Sequence, residues 1–185
     1  MRTERAFLTP RWLACWLAAA TVSAAVAVMP PAVFASRGGA TVTVAAGTGA
    51  RPGGTITVTV KIENARNVGS IPFTLRYDPT ILELVSASSV TEGGFLRQGG
   101  APTTFLARPG SAARGGGVVV GLSRLGAGQG GAGARGKGTL CRMTFRALQP
   151  GVSPLTFAGA AVLDPSARPL AATFRGGSLT VKPRL

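Results

Sequence analysis

An all-β fold, two antiparallel sheets packed face to face, is what this 185-residue sequence predicts. Three observations carry that expectation. Short runs alternate apolar and polar residues with period two, as half-buried strands do. Clusters rich in Gly, Pro, Asp and Ser separate the runs. Beyond residue 36 no stretch shows the 3.6-residue spacing of an amphipathic helix. Eight or nine short strands, each with one apolar face to bury, make a two-sheet sandwich.

The chain opens with MRTERAFLTPR, where Arg2, Arg5 and Arg11 outweigh Glu4, followed by the uncharged apolar run WLACWLAAATVSAAVAV and then Pro30 and Pro31. That plan resembles a secretory signal peptide, read as an N-terminal helix, with Val33 and Ala35 as the small residues before a cleavage point. Residues 1–35 are expected to be the signal and 36–185 the domain. An uncleaved membrane anchor is the alternative, because the apolar run is almost long enough to span a bilayer. Membrane contact is expected only through this segment, and export implies a secreted, periplasmic or cell-surface location.

The strands then follow in order. Residues 40–46 (ATVTVAA) and 54–63 (GTITVTVKIE) alternate across the turn GTGARPGG, with Ile56, Val58, Val60 and Ile62 forming one face. Further runs lie at 71–77, 103–107, 117–125, 139–147, 154–158 and 177–181, with RPGS, QPG and DPSARP between them.

The connection 126–138, GAGQGGAGARGKG, contains GxGxxG (Gly126, Gly128, Gly131) and nearly GxxxxGK (Gly131, Gly136, Lys137). A phosphate cradle needs a helix after the glycines and a hydroxyl after the lysine. Here Gly138 follows the lysine, and residues 139–147 have strand parity. Nucleotide binding is excluded, and the segment is expected to be a mobile loop dispensable for folding, even on replacing 127–134 by two glycines.

Lys and Arg number 20 against six acidic residues, with no histidine. The basic residues are scattered without aromatic partners between them, so nucleic acid is not expected. Cys141 is the lone cysteine after the signal and shares parity with Met143 and Phe145, which predicts a buried thiol. Neither a Ser/His/Asp triad nor a His-ligated metal can be built after residue 36. The five carboxylates there (Glu63, Asp78, Glu83, Glu92, Asp164) are dispersed. A non-catalytic domain without metal or cofactor is expected, and about 150 residues suit a single monomeric one.

Residues 69–85, GSIPFTLRYDPTILELV, place a strand before Tyr77, Asp78 and Pro79 and then Ile81, Leu82 and Glu83. With PGGTITVTVKIENARNVGS upstream, and GKGTLCRMTFRALQPGVSPLTF and GGSLTV downstream, this order of pieces resembles the cohesin family over nearly the whole domain. The resemblance implies a jelly-roll β-sandwich of about nine strands that binds a dockerin-type protein domain carrying calcium, in a polysaccharide-degrading or cell-surface assembly. It also implies a contact face including the strand ending in Tyr-Asp-Pro and the strand beginning Gly-x-Leu. The outward residues there are Thr74 and Arg76 on the first and Arg142, Thr144 and Arg146 on the second, with Ser123 nearby. Tyr77, Asp78 and Pro79 are expected to be structural: Asp78 caps the turn and Tyr77 fills the sandwich edge. Direct binding of polysaccharide and a purely structural envelope or adhesin role are the alternatives. Trp12 and Trp16 both lie in the signal, which leaves the domain poor in sugar-stacking rings.

Overall fold

The computed structural model describes residues 39–110, 116–126 and 131–184. The expected signal helix and cleavage point lie outside them. Eleven strands occur among the described residues: β1 (Ala40–Ala46), β2 (Thr55–Val68), β3 (Ser70–Arg76), β4 (Leu82–Leu84), β5 (Val90–Glu92), β6 (Thr103–Pro109), β7 (Gly117–Arg124), β8 (Ala134–Ala147), β9 (Gly151–Ala158), β10 (Ala172–Arg175) and β11 (Gly177–Val181). They form a jelly-roll sandwich. One sheet runs β10-β1-β2-β8-β4, with β5 also paired to β8; the other runs β11-β9-β3-β7-β6. Every strand pairing in the two sheets is antiparallel except β1 with β10.

The period-two pattern accounts for most of the core. Ile56, Val58, Val60 and Ile62 of β2 are buried beside Cys141, Met143 and Phe145 of β8, and face Ile71, Phe73 and Leu75 of β3 with Val118, Val120 and Leu122 of β7. Burying a side chain of this kind is worth about 1.5–3 kcal/mol. Burial also pushes the Cys141 thiol up to about 12.

The strand count exceeds nine because β4, β5 and β10 have three or four residues each, too few for alternation to register. Two boundaries also move. β2 continues to Val68 because its inward residues change from every second to every third position: Ile62, Ala65 and Val68 are buried, while Asn64 and Asn67 sit at φ 54°. The register against β8 shifts on both sides of Ala65, the mark of β-bulges.

The glycine-rich connection is shorter than 126–138, since β8 begins at Ala134, which is buried opposite Val68. The Gly133 N–H donates to Asn67 Oδ1 at 3.0 Å, and a Cβ on Gly133 would lie 2.4 Å from the Asn67 carbonyl carbon. Gly138 packs against Phe95. The chain is therefore strand from Ala134, with Gly133 and Ala134 close-packed, and the expectation that 127–134 is dispensable is corrected for those last two residues. Alternation could not show this, because glycine carries no side chain to alternate.

Candidate functional site

The expected contact face is divided between the two sheets. Thr74 and Arg76 lie on β3 and Ser123 on β7, in the five-stranded sheet, while Arg142, Thr144 and Arg146 lie on β8 of the six-stranded sheet. All six have outward parity, so the core separates the two groups. The co-facial grouping is corrected: parity along a strand says in or out, but not which sheet the strand joins. β3 pairs with β7 and β9, and β8 with β2, β4 and β5.

The two outer faces differ in chemistry. On the six-stranded sheet Arg142 stands opposite Thr59 and Thr91, Thr144 opposite Thr57, and Arg146 opposite Thr55 and Glu83. Along β8 that face is polar, with Val85, 42% exposed beside Thr144, as its one large exposed apolar side chain there.

The outer face of the five-stranded sheet carries an apolar pair on its β6–β7 side. Leu106 on β6 and Val119 on β7 are 48% and 45% exposed, while Val152, 57% exposed, stands apart at the start of β9 opposite Thr180. Register brings Leu106 beside Gly121 and Gly121 beside Pro72, while Val119 lies between Arg108 and Thr74. A Cβ at Gly121 would meet no atom within 4 Å, so a dip opens between Leu106 and Pro72. Arg76 and Arg108, both exposed, add positive charge to the face. Ser123 is tied down: Ser70 Oγ donates to the Leu122 carbonyl at 3.0 Å, so the 2.9 Å contact between Ser70 and Ser123 is donated by Ser123. Leu106, Val119, Pro72 and Val152 were not among the expected contact residues. The signal for Val119 was the unbroken run Val118, Val119, Val120, which makes a strand apolar on both faces.

Tyr77, Asp78 and Pro79 form the corner where the chain leaves β3 in one sheet for β4 in the other. Tyr77 packs edge-on against Phe145, with ring centroids 4.9 Å apart. Its hydroxyl is raised above the usual phenol range by burial, with the Glu83 charge adding to the rise and a hydrogen bond with the Leu84 backbone opposing it. Asp78 Oδ1 accepts from the Thr80 N–H at 2.9 Å and the Thr80 hydroxyl at 2.7 Å, and these bonds hold its carboxyl below the ordinary range. Asp164 makes a second turn of this kind, accepting from the Ser166 and Arg168 N–H groups at 2.8 and 2.9 Å. Among the described residues no three His, Cys, Asp or Glu side chains are grouped to hold a metal ion.

The cohesin domain family profile matches residues 40–172. No curated protein matches the chain. Three solved structures show the similarity in three dimensions. The non-cellulosomal cohesin from the hyperthermophilic archaeon Archaeoglobus fulgidus is 26% identical, with TM-score 0.58, over 77% of this chain and 91% of that one. A chain of the type I cohesin–dockerin complex from Clostridium thermocellum is 19% identical, with TM-score 0.62, over 78% and 94%. The second type II cohesin module of the adaptor scaffoldin ScaA from Acetivibrio cellulolyticus is 18% identical, with TM-score 0.65, over 75% and 88%.

Proposed function

The chain belongs to the cohesin domain family, and on that premise we propose that it is an exported, non-catalytic module whose five-stranded sheet receives a calcium-loaded dockerin-type domain. In this reading residues 1–35 direct export, residues 36–185 are the binding domain, and the place of action is secreted, periplasmic or at the cell surface. Cohesins are binding modules, and several similar structures are of cohesin–dockerin complexes.

The single observation that supports the choice of face is the exposed apolar pair Leu106 and Val119 beside the open Gly121 and Pro72, with its flanking Arg76 and Arg108. A partner covering that patch gains the hydrophobic term at the centre and ion pairs at the rim, the usual anatomy of a protein interface. The carbohydrate alternative lacks a platform: among the described residues every aromatic side chain is buried or half-buried, and Phe157 stacks edge to face with both Phe73 and Phe174. Calorimetric titration against a panel of calcium-loaded dockerin domains tests the proposal. Binding at micromolar concentration is expected; no binding to any dockerin, with binding to a glucan, would replace this reading by the carbohydrate one.

A further inference from the structure

The two consecutive bulges in β2 produce a feature that docking on the opposite sheet does not use. Along Glu63 to Val68 two residues point outward for each one inward, which raises the outward share from one half to two thirds on that stretch. The bulges are held with Asn64 and Asn67 at φ 54°, a conformation costing a non-glycine residue on the order of 1 kcal/mol and often kept where a site needs it. Across the ladder, Arg135, Gly136 and Lys137 of β8 are all exposed. Between the two strands lies a hollow of 650 Å³ walled by Asn64, Arg66, Asn67 and Arg135 over a floor at Gly136, where a Cβ would meet nothing within 4 Å. It shares Asn64 and Gly136 with a second hollow of 350 Å³ walled by Glu63 and Lys137.

We propose that this double hollow is a binding site for a carboxylate-bearing sugar, a hexuronate residue of an acidic glycan. The size is that of a small-ligand site. Arg66, Arg135 and Lys137 supply three positive charges, and among the described residues none of them is in an ion pair. A guanidinium presents paired N–H donors that match a planar carboxylate. The side-chain amide of Asn67 is oriented, because its Oδ1 takes the Gly133 N–H, which commits its NH2 to the donor role. Asn64 and Glu63 provide acceptors for hydroxyl groups. The Glu63 charge opposes a dianion such as phosphate more strongly than a monoanionic carboxylate. No aromatic ring lines either hollow, so a neutral sugar has nothing to stack on. The edges of β2 and β8 that face each other across the hollow are already paired, so an extended peptide cannot add between them.

The test is an NMR titration of the domain with trigalacturonate, maltotriose, triglutamate and sodium sulfate, following backbone amides. Saturable shifts at Asn64, Asn67 and Gly136 with trigalacturonate, absent with maltotriose and at least tenfold weaker with triglutamate and sulfate, are expected. R66A/R135A should lower trigalacturonate affinity tenfold or more and leave dockerin affinity unchanged, which separates this site from the docking face. Absence of saturable shifts at those amides in the unsubstituted domain, equal binding of triglutamate or sulfate, or full affinity in R66A/R135A would each overturn the proposal. The shift map of the unsubstituted domain decides even if the double variant does not fold.

Discussion

The hydroxyl of Ser153 accepts the backbone N–H of Asp78 at 2.9 Å, joining β9 to the corner that carries the chain from one sheet to the other. Ser153 is fully buried, the sole polar residue among the buried ones described. Ser153→Ala leaves that N–H without its partner, and a stranded donor costs about 1–3 kcal/mol. Urea denaturation should show a loss of that size with the m-value unchanged. A loss below a few tenths would mean that water replaces the hydroxyl.

The Asp78 carboxyl gives the corner an acid sensitivity of known sign. Its folded pKa lies below the ordinary aspartate value, so the stability it contributes is present above the unfolded pKa and is lost as pH falls through the folded one. Asp78→Asn should therefore flatten the acid limb of the stability curve below about pH 4. A carbon-detected titration placing the Asp78 carboxyl at or above its unfolded value would contradict this.

Cys141 behaves in the opposite pH range. Its thiol is raised to about 12, so the folded state keeps the proton while the unfolded chain ionises near 9. Stability should fall as pH rises above the unfolded value. A thiol reagent at pH 8 should leave the folded domain unmodified and label Cys141 once urea unfolds it, since the residue is fully buried.

Gly133 should not accept a side chain. The contact of a new Cβ would be with the backbone of Asn67 and Val68, which cannot rotate away. Gly133→Val is expected to cost about 1–3 kcal/mol as an overpacking change. Gly121→Ala, in open space and without a positive φ, should leave the melting temperature unaltered.

Much of this fold was legible because strands with one buried face write their parity into the sequence. Ile56 to Ile62 and Cys141 to Ala147 are cases in point. What parity could not show was sheet membership, a long-range property set by which strands pair. Arg76 and Arg142 therefore belong to opposite faces although both point outward. The run Asn64, Ala65, Arg66, Asn67 fell outside the strand read at 54–63 because its bulges replace period two by period three. The exposed Val119 was written in the Val118–Val120 run, whose middle residue has to face solvent or a partner.

The central claim is that the apolar outer face of the five-stranded sheet is the docking surface. Its most direct test measures one dockerin that binds the unaltered domain against two variants of equal charge change, L106D/V119D on that sheet and R142A/R146A on the other, with circular dichroism confirming the fold of each. The first pair should lose at least tenfold in affinity, about 1.4 kcal/mol, because it places charge in the desolvated centre of the interface. The second should bind within about twofold of the unaltered domain, since surface charges away from an interface act only through a screened field. The opposite result, with L106D/V119D binding normally and R142A/R146A losing tenfold, would place the interface on the six-stranded sheet and contradict the account.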